Sequence, residues 1–520
     1  MTTFQWFVFF LLIQIVHFLG TWKLYEAAGK KKWQAAIPVY NSIILMKIIG
    51  RPTWWTVLLF IPVINLMMFP VIWVETLRSF GKRSSLDTFL GIITLGFYIY
   101  YISYTQKLEY KSDRIIEPET KTADTISSLL FAIIVATLVH TYLIQPFTIP
   151  TSSLEKSLLV GDFLFVSKMN YGARVPMTAV SLPMVHDTIP KTKNKSYIKW
   201  PQLPYFRLPA FEKIKNCDIV VFNWPVDTVY FFRDPSSRHV DKPIDKKSNY
   251  VKRCLGIPGD SLAIKDGIVY INGKELALPE RAKPQYSYKV SLDGKTPIDF
   301  EYLFKDMDIT DGINYVNEQR DSIGIAAMTF ENSERMKNVP GVTSVKRYVE
   351  KRVEPGVFPH INKWNRDNYG PIYIPQAGKS VAINYMSLPF YSRIITEYES
   401  NKLEIKGSDI YINGKRTTTY TFKQDYYWMM GDNRHNSEDS RYWGYVPADH
   451  IVGKPVFIWM SIDGINGSIK HWKIRWNRLF TTVGGDGQPQ SYFQWFMIVL
   501  VSYFVGEYFW KKRKEKNTNV

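Results

Sequence analysis

Cysteine is nearly absent: the 520-residue chain has two, Cys217 and Cys254. Two thiols cannot form a disulfide framework, and the sequence leaves open whether they pair. No Cys/His spacing suits zinc, and no G-x-x-x-x-G-K-[ST] loop is present. The GDG and GGDG stretches lack a surrounding strand–glycine–helix pattern and read as loop glycines. No metal or cofactor is expected. Histidine is scarce, with eight in all. Acidic residues are outnumbered, 47 against 65 lysines and arginines, for a net charge of +18. Such an excess points to nucleic acid, to anionic lipid or to the basic flanks of membrane spans. Aromatic residues make up 15% of the chain, which suits a membrane–water boundary.

Long apolar runs are plentiful. Phe4 to Thr21 has no basic leader and no small-x-small cleavage site, so it reads as a retained span. Lys23 and Lys30, Lys31 and Lys32 follow it and place that loop in the cytoplasm by the positive-inside rule. Trp54–Leu77 and Phe89–Tyr104 are expected to form an out-and-back pair of spans, and Lys107, Lys111, Arg114 and Lys121 mark a second cytoplasmic stretch. That arrangement leaves Arg78, Lys82 and Arg83 outside, against the rule. The alternative is a re-entrant hairpin broken at Pro62 and Pro70. Ile126–Ile144 then runs outward. Tyr492–Trp510 returns, stopped by Lys511, Lys512, Arg513 and Lys514. Gln145–Ser491 becomes one extracytoplasmic region. Membrane spans stand where a DNA-binding N-terminus would be needed, and no nucleic-acid partner is expected.

The extracytoplasmic region reads as β. DIVVFNWP (Asp218–Pro225), YVKRCLGI (Tyr250–Ile257) and KPVFIWMS (Lys454–Ser461) are short strand-like runs bounded by turn residues. Leu262–Leu276 and Leu403–Thr417 echo one another, each a hairpin followed by Asn-Gly, and are expected in one sheet system. Pro279–Gln376 between them is more polar and irregular. The aromatic run Tyr197–Phe211 suits either the bilayer surface or an ordinary loop over the core.

Three hydroxyls, Thr151, Ser152 and Ser153, follow directly on the span Ile126–Ile144. Taken alone, such a cluster caps a helix. A nucleophilic serine needs a base. His435 lies among Asp432 and Asp439 and suggests a triad, yet its turn-rich, charged surroundings suit an exposed loop histidine. Lys252 is the other candidate. On a strand it shares a face with Tyr250 and Cys254, where desolvation lowers a lysine pKa and frees its lone pair. A lone strand lysine is more often solvated.

Taken together, four blocks in order resemble the bacterial type I signal peptidases, Ser/Lys proteases of the membrane. The blocks are IPTSSLEKSLLVGD, CDIVVFNWP, YVKRCLGIPGD and GDNRHNSEDSRYWGYVP, the last being the most specific. The insertion and the additional N-terminal spans look like the Bacteroidetes branch. The resemblance implies Ser153 as nucleophile and Lys252 as general base. It implies Thr151 as a hydroxyl beside the oxyanion hole and Ser437 as the residue orienting the lysine. Asp439 becomes a structural acid and Arg441 its ion-pair partner. The family pattern Ser-Met-x-Pro-Thr is here Ser153-Leu154-Glu155-Lys156-Ser157; the missing proline alters a turn beside the site.

The implied fold is a mainly β catalytic domain with transmembrane helices at both ends. A multi-span module (1–122) and an anchor (123–145) lead to a catalytic core in two parts (146–278, 401–462) split by an insertion (279–400). A linker (463–491), a span (492–510) and a basic tail (511–520) follow. The implied activity is signal-peptide cleavage at the outer face of the inner membrane. Its partners are the lipid bilayer and secretory preproteins with small residues before the cut. A catalytically silent scaffold and a self-cleaving Ser/Lys regulator are the other readings.

Overall fold

A 13-residue strand, Ile451–Asp463, organises the soluble region. In the computed structural model, which describes residues 2–518 apart from 115, 118, 119, 232, 233, 237, 318, 320 and 362, it lies within a curled antiparallel sheet. Six strands define the part that matters here: β1 Ile144–Thr148, β2 Asp162–Ser167, β3 Ile219–Asn223, β4 Asn249–Gly256, β5 Tyr426–Met430 and β6 Ile451–Asp463. Their order is β1-β2-β6-β3-β4-β5. Val220 and Lys252 are cross-strand partners on β3 and β4.

Alternation along the strands builds a core on each face. Ile219, Val221 and Val251 join Leu154, Leu164 and Ile458 on one side. Val220, Phe222, Tyr250 and Cys254 join Met429 and Trp443 on the other. Cys217 and Cys254 are free thiols, although Cys217 N–H donates to the Cys254 carbonyl at 2.7 Å.

The echoing segments fold alike. Each is a three-stranded meander, Ser261–Lys265 to Lys274–Glu275 and Leu403–Lys406 to Lys415–Arg416. In each, an asparagine side chain accepts from a backbone N–H eleven residues upstream, Asn272 from Ser261 and Asn413 from Lys402, both at 2.8 Å. They belong to separate sheets rather than one. The insertion is ordered where irregularity was expected. Gln285–Leu292, Ile313–Val316, Ser322–Thr329 and Val342–Arg347 form an antiparallel sheet. Helices Phe300–Asp306 and Phe330–Lys337 flank it. Tyr286, Tyr288 and Val290 alternate into its own core, a period-two signal diluted by the charged residues around it.

The chain divides into two units. The sheet and insertion lie in one, Ile144–Gly172, Pro209–Val226 and Asn249–Val520; the other holds Met1–Leu143, Ala173–Leu208 and Asp227–Ser248. In the latter, Thr3–Ala27 and Lys121–Leu143 are long and apolar enough to cross a membrane. The two middle segments differ from the expected pair of spans. Trp54–Leu77 breaks between helices Trp55–Leu58 and Ile64–Ser79, where Pro62 cannot continue a helix. Pro70 stays inside the second helix. Phe89–Tyr104 is split into Ser85–Ile93 and Tyr98–Thr105, bent by 118°. A side chain at Gly96 would collide with the Trp73 ring at 2.6 Å, so the bend packs against its neighbour.

One ion cluster shows where these segments end. Glu75 is buried and meets Arg51 at 3.0 Å, Arg114 at 2.6 Å and Arg78 at 3.4 Å. Lys111 N–H donates to the Ser79 carbonyl at 2.9 Å. Arg78 therefore lies with Arg51 and Arg114, not at the opposite end. In the other unit, the expected C-terminal span falls in helix Phe493–Thr518, whose apolar residues are exposed. Residues 519 and 520 of the basic tail lie outside the described residues.

Candidate active site

The connection between β1 and β2 carries Ser153. Ser152–Leu154 is a short 3₁₀ turn preceded by extended Thr151, whose side chain makes no capping bond. Leu154 anchors the turn by sinking fully into the core. That position takes methionine in the family pattern, and Leu fills nearly the same volume. Glu155 and Lys156 then form a type II turn closed by Ser157 N–H donating to the Leu154 carbonyl at 3.0 Å. Lys156 has φ +71°. Proline is locked near −65° and cannot stand there. The departure from the family pattern is thus a different turn, with Ser157 folded back so that its hydroxyl donates to Asp432 at 2.5 Å.

The Ser153 turn packs against β4. Lys252 is 3% exposed on that strand. Its Nζ lies 5.8 Å from the Tyr250 ring centroid, on the face it shares with Cys254. Among the described residues, no hydrogen bond or ion pair reaches Nζ. Burial pushes the amine from 10.5 to about 8, against the pull of Asp439 and with a smaller push from Arg441. With that value about one amine in ten is neutral at pH 7 and about half at pH 8.

The segment Gly431–Arg441 lies over both. A Cβ on Gly431 would stand 2.3 Å from Ser437 Oγ and 2.5 Å from the Ser153 carbonyl oxygen, so only glycine lets the three meet. Ser437 Oγ is buried and has no hydrogen-bond partner among the described residues. Asp439 receives Arg441 through two bonds, Nε at 2.9 Å and Nη2 at 2.8 Å. It also accepts the Gly431 N–H at 3.0 Å. Burial opposes its charge, but Arg441 holds the carboxyl below its ordinary value. On the far face of β4, Arg253 binds Asp432 at 2.6 and 2.8 Å.

His435 is not an exposed loop residue. Its side chain is 8% exposed. The Ser287 N–H donates to Nδ1 at 3.0 Å, so Nε2 carries the proton and donates to Asp367 at 2.9 Å. It contacts neither Asp432 nor Asp439. The imidazole is occupied in tying the insertion to the core.

Thr151, Ser153, Lys252, Ser437, Asp439 and Arg441 fall within one unit of the structure. Sequence reasoning missed Gly431, Asn433, Asn436 and Asp311. The first three stand in the segment it singled out, where GDN before a turn is a usable signal. Asp311 is in the insertion and carries no local mark.

The Ser153 turn thus packs against a strand that carries a buried lysine with no hydrogen bond or ion pair among the described residues. Residues 122–324 and 377–460 match the signal peptidase family, peptidase S26, and the chain belongs to it. Residues 33–113 match a family of unknown function (DUF5684). Signal peptidase I of Buchnera aphidicola from Baizongia pistaciae is 25% identical over 68% of this chain and 80% of its own. Signal peptidase I of Helicobacter pylori is 26% identical over 69% and 92%. That of Haemophilus influenzae is 25% identical over 71% and 78%.

Proposed function

We propose that the chain is a membrane-bound serine endopeptidase that removes signal peptides from secretory preproteins. Neutral Lys252 takes the proton of Ser153 Oγ, and the oxygen attacks the scissile carbonyl. The Ser153 N–H and Thr151 hydroxyl stabilise the oxyanion; each such donor is worth roughly 10²–10³ in rate. The lysine gives its proton to the leaving amine. Water then enters, Lys252 takes its proton, and the acyl-enzyme is hydrolysed. Ser437 Oγ makes no hydrogen bond to Nζ in the structure, and its free hydroxyl orients the amine when it turns toward it.

The observation that carries this reading is the burial of an unpaired Lys252 on the strand against which the Ser153 turn packs. Helix Lys121–Leu143 enters β1, and through it the nucleophile turn is delivered close to the outer membrane face. Small residues before the scissile bond are what the resemblance to the signal peptidases implies. The hairpin Thr178–Ser181/Tyr197–Gln202 supports a role at the bilayer surface. It exposes Ile198 and Trp200, Phe206 is exposed just beyond it, and its Gln202 carbonyl accepts from Trp6 Nε1, near the start of the first span, at 2.9 Å.

A serine-reactive covalent probe tests the dyad. Labelling of the wild type at Ser153, lost in Ser153→Ala and Lys252→Ala, is expected. Equal labelling of Lys252→Ala refutes the lysine as base.

A further inference from the structure

The turn that carries Ser153 is held by the insertion. Asp311 stands just before strand Ile313–Val316, and its Oδ2 accepts from Asn433 Nδ2 at 2.7 Å and Asn436 Nδ2 at 3.0 Å. The same two amides reach Ser152. Asn433 Nδ2 donates to the Ser152 carbonyl at 3.3 Å and Asn436 Nδ2 to the Ser152 hydroxyl at 3.2 Å. Asn433 N–H donates to the Ser153 carbonyl at 3.1 Å. Nearby, Asp308 pairs with Lys156 at 2.6 Å.

The Ser152 carbonyl and the Ser153 N–H are two ends of one planar peptide unit. Holding the oxygen fixes the direction of the N–H. The Asn433 amide has two faces to offer, and Asp311 and the Ser152 carbonyl are both acceptors, so together they select its NH₂ side. A flipped amide would set Oδ1 against a carboxylate and a carbonyl. The selection leaves Asn433 Oδ1 buried with no partner among the described residues. An amide in that state keeps its orientation only while the acceptors on its other side persist.

We infer that Asp311 is a positioning residue that aims the Ser153 N–H at the developing oxyanion through Asn433 and Asn436. This rests on Ser153 being the nucleophile. The insertion thereby belongs to the active site, with Asp311 acting through Asn433 and Asn436.

The test is steady-state cleavage of a model preprotein by the purified full-length enzyme, with thermal melts alongside. Asp311→Ala should lower kcat about 10–100-fold, since a displaced group costs on the order of 10², and leave KM within about twofold. Asp311→Asn retains an acceptor oxygen and should recover most of the loss. Asp308→Ala breaks a pair whose acidic partner is exposed and should stay close to wild type. Normal kcat in Asp311→Ala overturns the proposal. So does a loss that Asp311→Asn fails to rescue and that comes with a lowered melt, which makes the residue structural. If Ser153→Ala cleaves normally, the nucleophile assignment itself fails; if Ser153→Ala is dead while Asp311→Ala is normal, only the positioning role fails.

Discussion

Lys252 carries a cost that a structural residue would avoid, the burial of its charge. Its folded value of about 8 lies below the ordinary 10.5. Between these values the unfolded chain binds more protons, so stability rises with pH across that window. Below it, the buried charge costs about 3 kcal/mol, at 1.36 kcal/mol per unit. Lys252→Met keeps the volume and removes the charge; it should raise stability at neutral pH by up to that amount while abolishing turnover. A denaturant titration beside an activity assay checks both, and a less stable, inactive Met variant would show that the amine is not held under strain. Turnover of the wild type should rise with pH through about 8 as the amine loses its proton. Ser437→Ala discards a buried hydroxyl that has no partner among the described residues. Removing it should leave the melt unchanged or slightly higher, since an unmade buried bond costs about 1–3 kcal/mol. It should still lower turnover by about 10²-fold, as expected when a catalytic group loses its aim. Full turnover would remove Ser437 from the site. The Ser153 turn and the Lys252 strand were legible as candidates because each stands in a contiguous block that carries its own surroundings. Asp311 was not, because its partners are more than a hundred residues away, and no local pattern marks a carboxylate that will meet two distant amides. His435 misled because turn-rich sequence does not reveal that a backbone N–H and Asp367 will bury the ring.

The elements of the membrane module were legible as apolar runs but not as paths. Hydropathy marks Trp54–Leu77 and Phe89–Tyr104 without saying that Pro62 and the Gly96 bend turn the chain. The Glu75 cluster returns Ile64–Ser79 to the end where Arg51 began. Arg78 then sits with Arg51 and Arg114 on Glu75, which removes the reason for placing it at the opposite end. Cysteine labelling with a membrane-impermeant maleimide, in a Cys217→Ser background, checks this. Lys82→Cys should label in spheroplasts only after permeabilisation, like Lys32→Cys, whereas Lys274→Cys, at an exposed position of the first meander, should label directly. Direct labelling of Lys82→Cys would restore the out-and-back pair. Strands fared better. β3, β4 and β6 were visible as β-branched and aromatic runs, because both their faces are buried against cores. The repeated meanders were visible because Asn-Gly at each second turn forces the same hairpin. Their separation into two sheets depends on distant partners, which no repeat encodes.

At the scale of the molecule, the arrangement couples three parts that composition alone keeps apart. Apolar helices hold the chain at a bilayer. An antiparallel sheet buries a lysine and supports the serine turn against it. A folded insertion reaches back to the same turn from Asp311 through Asn433 and Asn436. The central claim is that Ser153 and Lys252 act together on a preprotein. The direct measurement is cleavage of a model preprotein by purified full-length enzyme in mixed micelles, with the product N-terminus sequenced. The account predicts one cut after small residues, no product with Ser153→Ala or with Lys252→Ala, and most of the activity kept by His435→Ala once its folded fraction is matched. A His435→Ala enzyme as dead as Ser153→Ala, beside an active Lys252→Ala, would contradict it and make the site a histidine triad.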